Sequence, residues 1–120
     1  MLFRSRYRDI AIPEVRLRSA DARAAGRALF LQHCAICHGE RADGRGARRS
    51  GLSSPAQDFT DSAWRKRSSP RWVYYVIREG TPGTSMAGWK ILSPDETWDL
   101  VAYLLSVSER STQPAPTSGF

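Results

Sequence analysis

Apolar residues take up a helical spacing from position 22 onward. Ala22, Gly26, Leu29, Phe30 and His33 fall along one helix that Ser19 can cap and that carries Asp21 in its first turn, where the helix dipole favours an anion. Gly26 inside that helix costs roughly 1 kcal/mol against Ala. Its presence predicts another backbone passing close by, with Phe30 one turn on packing beside it. A second pattern opens at Ser69-Pro70, a cap followed by Pro at the first helical position; Trp72, Val73, Val76 and Ile77 supply its apolar side and Gly80 closes it. A third begins at Ser93-Pro94-Asp95-Glu96, where Ser93 and Glu96 make a capping box. Its stripe is Trp98, Val101, Ala102 and Leu105, widened by Tyr103 and Leu104, and it is expected to end near Ser108.

The stretches between carry no sustained period. Residues 1–18 mix Arg with isolated apolar residues and Pro13, and read as a basic arm of uncertain order. Residues 39–68 are rich in Gly, Ser, Arg and Asp, and residues 81–89 form a turn-rich segment that a helix cannot hold. Residues 109–120 have the composition of a disordered tail. The expectation is an all-α domain over residues 19–108, with three main helices and long loops.

Cys34-Ala35-Ile36-Cys37-His38 changes the picture. Cys-x-x-Cys-His is the attachment signature of a c-type haem. On a helical turn both thiols point to one side and His38 lies beside them, so one porphyrin can take two thioether bonds while the imidazole reaches its iron. A zinc site would want two further Cys or His ligands at similar spacing, and His33 is the remaining candidate. A redox dithiol would want a strand before it, and the preceding sequence is helical. A haem also accounts for a structureless stretch of about 30 residues, otherwise unusual in a compact domain. Such a loop can wrap the macrocycle and bury Leu52, Phe59 and Trp64 against it. Pro55 is a candidate to offer its carbonyl to the far nitrogen of His38, having an acceptor and no N–H, although a turn proline accounts for it equally well.

His38 fills one axial position. Met1 apart, Met86 is the available methionine, in a polar Gly/Pro/Thr loop where a flexible thioether can be aimed at iron. Lys90 is a rival, and His33 is tied to the same side of the ring as His38. With His and Met bound, the iron gains or loses one electron with little rearrangement and offers no open position to oxygen. No catalytic residue is expected.

The formal charge is +6, distributed as +4 over residues 1–39, +5 over 40–78 and −3 beyond. No basic helix interleaved with aromatics appears, which argues against nucleic acid and for a solvated or protein-docking face. Arg45, Arg48, Arg49, Arg65, Lys66, Arg67 and Arg71 are candidates to steer an acidic partner, although a solvated face with no partner accounts for them equally well. No run of about 18 apolar residues offers a membrane span. Covalent haem implies an oxidising, extracytoplasmic location such as the periplasm. The basic residues 1–8 are not followed by the apolar stretch of an export signal.

The chain resembles a class I monohaem cytochrome c, most of all the bacterial group related to haem-c subunits of terminal oxidases and cytochrome partners of dehydrogenases. The residues that carry the likeness are Gly26 and Phe30, Cys34 to Gly39, Asp43-Gly44-Arg45-Gly46, Asp58-Phe59-Thr60-Asp61, Gly80 to Met86, and Val101-Ala102-Tyr103-Leu104. The resemblance implies first and last helices crossing near Gly26, Phe30 and Tyr103. It also implies one haem anchored by Cys34 and Cys37, with His38 as proximal and Met86 as distal ligand. Relatives often carry Pro after that methionine, and Ala87 here leaves the loop less rigid. The implied function is one-electron transfer between redox proteins. The donor would be a dehydrogenase or quinol-oxidising complex and the acceptor an oxidase or reductase, with the chain a free carrier or an oxidoreductase subunit. The alternative is a ligand-binding or sensory haem domain in which Met86 dissociates.

Overall fold

The computed structural model describes residues 7–81 and 83–112, with the side chains of 111 and 112 left aside. Six α-helices appear among the described residues: α1 (Glu14–Arg18), α2 (Ala20–His33), α3 (Ala35–His38), α4 (Ser62–Arg67), α5 (Pro70–Glu79) and α6 (Pro94–Thr112), with a 3₁₀ turn at Arg49–Gly51. The all-α expectation holds, and the three long helices start where their caps are written. Ser19 Oγ accepts from Ala22 N–H, Ser69 Oγ from Trp72 N–H, and Ser93 and Glu96 exchange bonds of 3.0 and 2.9 Å.

Helix α6 is the spine. Residues 97–108 are buried on every side, because α1, α2, α4 and α5 all pack against it. Its polar side chains turn inward: Thr97 and Ser106 donate to the carbonyls of Ser93 and Tyr103, and Ser108 donates to that of Leu105. The crossing with α2 is backbone to backbone. A Cβ on Gly26 would sit 1.9 Å from the Asp99 carbonyl oxygen. Phe30, 1% exposed, packs its ring 5.3 Å from that of Tyr103.

The arm read as irregular is a covering layer from Tyr7 on. Tyr7 is buried beside Tyr74 and Tyr75 and its hydroxyl donates to Glu79. Arg71 donates twice to the Ile10 carbonyl, at 2.8 and 3.3 Å. Arg16 makes a two-pronged contact of 2.7 and 3.3 Å with the buried carboxylate of Asp99. Helix α6 runs past Ser108 to Thr112, with Glu109 paired to Arg23 and Arg110 reaching Ser106 one turn back. The part of the predicted tail beyond Thr112 lies outside the described residues.

Candidate functional site

A cavity of about 830 Å³ opens between α2, α3, α5, α6 and the loops, within the usual 300–1,000 Å³ of a cofactor pocket. Cys34, Cys37, His38, Pro55, Trp64 and Met86 all line it. Most of its wall is apolar, with Leu100 and Leu104 of α6 and Val73, Val76 and Ile77 of α5 on one side.

Helix α3 is a single turn and needs outside partners for its terminal carbonyls. The loop that follows supplies them. Gly44, Gly46 and Arg48 donate to the carbonyls of His38, Cys37 and Ile36 at 2.7, 3.1 and 2.9 Å. Phe59 N–H donates to the Ala42 carbonyl at 2.8 Å and brings the loop around to the far side of His38. The Phe59 ring stacks on the imidazole at 4.8 Å, and Trp64 meets Phe59 edge-on at 4.8 Å. Trp64 thus buttresses the histidine through Phe59.

His38 Nδ1 lies 3.0 Å from the Gln57 carbonyl. That bond assigns the proton to Nδ1 and leaves the Nε2 lone pair for a metal, the arrangement typical of a ligating histidine. Burial lowers the His38 pKa, opposed in part by the Gln57 bond, so the imidazole is held neutral. Pro55, a candidate for that acceptor alongside its reading as a turn proline, does not take the place; the Gln57 carbonyl, two residues on, does. The Ala56 oxygen faces Gly44, the Gln57 oxygen faces His38, and Pro55 lines the cavity. No residue type signals Gln57, because every residue carries a carbonyl.

Cys34 is half-buried and its thiol is pushed up to about 11, mainly by burial and then by the neighbouring Cys37. Both cysteines are free of disulfide. Lys90, the rival to Met86, pairs with Glu79 at 3.1 Å and does not line the cavity. His33 lies at the cavity wall, its ring 5.0 Å from that of Trp89. Among the described residues no cluster of three or more His, Cys, Asp or Glu could hold a metal ion, which removes support from the zinc alternative.

The donor set fits a covalently held haem. Two thiols and an imidazole with a fixed tautomer stand on one wall of an apolar cavity, and a thioether stands on the same cavity's lining. Arg48 and Arg67 are cations on that lining.

Residues 23–108 match the cytochrome c family. The chain is 38% identical over 91 residues to dihydro-heme d1 dehydrogenase of Pseudomonas aeruginosa, covering 75% of this chain and 16% of that protein. It is 32% identical over 109 residues to the Cbb3-type cytochrome c oxidase subunit CcoP of Azospirillum brasilense, covering 80% and 34% respectively. A solved chain of the reducing HAO-like protein complex of Kuenenia stuttgartiensis superposes with a TM-score of 0.66 at 30% identity, over 75% of this chain and 45% of that one. The chain therefore spans less than half the length of each of these relatives. A family match over most of the sequence, on a fold that surrounds the Cys-x-x-Cys-His turn with a cavity, places this chain in the cytochrome c family.

Proposed function

We propose that the chain transfers single electrons between redox proteins, as a carrier or as the electron-transfer part of a larger oxidoreductase, through one haem c bound at Cys34, Cys37, His38 and Met86. When bound, the haem supplies the Fe(II)/Fe(III) couple. In this reading Cys34 and Cys37 form the thioether anchors. His38 presents Nε2 as the proximal ligand, held in its tautomer by the Gln57 carbonyl and in its plane by Phe59. Met86 presents its thioether as the distal ligand, and Pro55 and Trp64 wall off water. The observation that carries the reading is convergence: residues 34, 37, 38 and 86, separated by up to 52 positions, line one cavity whose histidine is already oriented as a ligand.

The relatives support a redox setting, one being called a dehydrogenase and another an oxidase subunit. A dehydrogenase or quinol-oxidising complex as donor, an oxidase or reductase as acceptor, and an extracytoplasmic location follow as parts of the proposal. Among the described residues no helix is long and apolar enough to cross a membrane. Ile36 and Trp72 line the cavity and are exposed, and Arg48 and Arg67 line the same cavity. That combination suits a small, charge-steered encounter with an acidic partner. Absorption spectra of the oxidised and reduced protein, with a pyridine haemochrome, test attachment and ligation together. A colourless folded protein with two free thiols would overturn the proposal.

A second reading, capture of CO, NO or oxygen after Met86 dissociates, is favoured by one observation: most of the segment carrying Met86 is exposed. Rapid stoichiometric CO binding by the ferrous protein at neutral pH would favour it over the carrier.

A further inference from the structure

Met86 sits in a segment that leaves α5 and folds back on it. Gly80 takes φ 75°, and a Cβ there would lie 2.7 Å from the Met86 carbonyl oxygen and 2.7 Å from Gly88 N. Thr81 N–H donates to the Met86 carbonyl, and Met86 N–H to Thr84 Oγ1, each at 3.2 Å. Trp89 N–H donates to the Ile77 carbonyl at 2.7 Å. All of these bonds stay within the segment or return to its own helix.

One side chain reaches across. Ser85 Oγ accepts from Ser53 N–H at 3.0 Å and lies 3.1 Å from Ser53 Oγ. Among the described residues no other hydrogen bond joins the 52–57 stretch to the 80–88 segment. The 52–57 stretch is also the one that offers the Gln57 carbonyl to His38. Ser85 therefore links the wall that orients the histidine to the wall that carries the methionine, one residue from Met86 itself.

We propose that Ser85 is a positioning residue: its contact with Ser53 clasps the two walls of the cavity and sets how rarely Met86 is released. The proposal rests on the reading of Met86 as the distal ligand. Opening the clasp frees the segment, and an added ligand such as imidazole then binds in proportion to the fraction of molecules that are open. In that exchange one Fe–S bond breaks and one Fe–N bond forms, with no electron transferred.

The test is imidazole titration of the ferric holoprotein, read by loss of the weak long-wavelength absorption of thioether ligation, in Ser85→Ala, Ser53→Ala and Met86→Ala. Ser85→Ala removes both contacts and is expected to raise imidazole affinity about tenfold, equivalent to about 1.4 kcal/mol. Ser53→Ala keeps its N–H bond to Ser85 and is expected to give about a third of that rise. A Ser85→Ala protein within twofold of the parent, beside a Met86→Ala protein that binds imidazole tightly and lacks the absorption, would overturn the clasp and leave the ligand assignment standing. If Met86→Ala changes neither readout, the ligand assignment falls and the clasp falls with it.

Discussion

Replacing Gly26 by alanine tests the architecture at its tightest point. The added Cβ would lie 1.9 Å from the Asp99 carbonyl oxygen, 2.6 Å from its carbon and 2.9 Å from Tyr103 Cβ. The first two are main-chain atoms of α6, so no rotamer change relieves them. To reach ordinary contact at 3.4 Å the helices must part by about 1.5 Å. That movement pulls on the Phe30–Tyr103 pair and on Val101 and Ala102, which are fully buried. Overpacking typically costs about 1–3 kcal/mol, and a clash with backbone belongs at the upper end, whereas the better helix propensity of Ala returns about 1 kcal/mol. The net expectation is a loss of about 2 kcal/mol, or a melting temperature lower by about 8 °C for a chain of this size. Guanidinium unfolding of the holoprotein, followed by far-UV circular dichroism so that helices and not haem are read, gives the number. Gly51→Ala is the control, because nothing lies within 4 Å of a Cβ there. Equal stability of the two variants would show that α2 and α6 do not approach as described.

Met86→Ala is expected to lower the reduction potential and admit CO to the ferrous protein while the haem stays covalently attached; an unchanged potential in a voltammogram would remove Met86 from the ligand set. Ser93→Ala removes the Oγ that accepts from Glu96 N–H at the start of α6, leaves the Ser93 N–H bond to the Glu96 carboxylate in place, and should cost about 1 kcal/mol in a thermal melt. In the haem-free chain, burial raises the Cys34 pKa from 9.0 to about 11, so the folded state favours the thiol. The stability this contributes is present below pH 9 and is lost as pH rises from about 9 to about 11. Alkylation of Cys34 should be slower than in a urea-unfolded sample across that window, and matching rates would mean the pocket is not formed without haem.

The helices written with caps were legible from sequence to within a few residues, because Ser19, Ser69-Pro70 and Ser93-Pro94 state their beginnings locally. Helices α1 and α4, at five and six residues, are too short to show a 3.6-residue period, so they read as loop. Gly26 by itself announced a close neighbour but not which one; the family likeness supplied the crossing with the last helix near Tyr103, while the carbonyl it meets, that of Asp99, is 73 positions away and nothing local names it. The same limit hid the Arg16–Asp99 pair, the burial of Tyr7, and the clasp at Ser53 and Ser85. At the site, residue types marked the thiols, the imidazole and the thioether. For the His38 acceptor, sequence offered Pro55 as one of two equal readings and the structure has Gln57, because backbone direction depends on how the loop lies, which composition does not encode.

The segment that covers α5 and α6 has a practical implication for anyone dissecting this protein. The family likeness begins at residue 23, yet Tyr7, Ile10 and Arg16 already belong to the folded body, and Asp99 takes its counter-charge from one of them. A polypeptide trimmed to the border of the likeness would keep every haem-facing group and still present a bare carboxylate and uncovered tyrosines to water. A piece cut to the outline of homology is therefore expected to melt at a lower temperature than one that keeps residues 7–18.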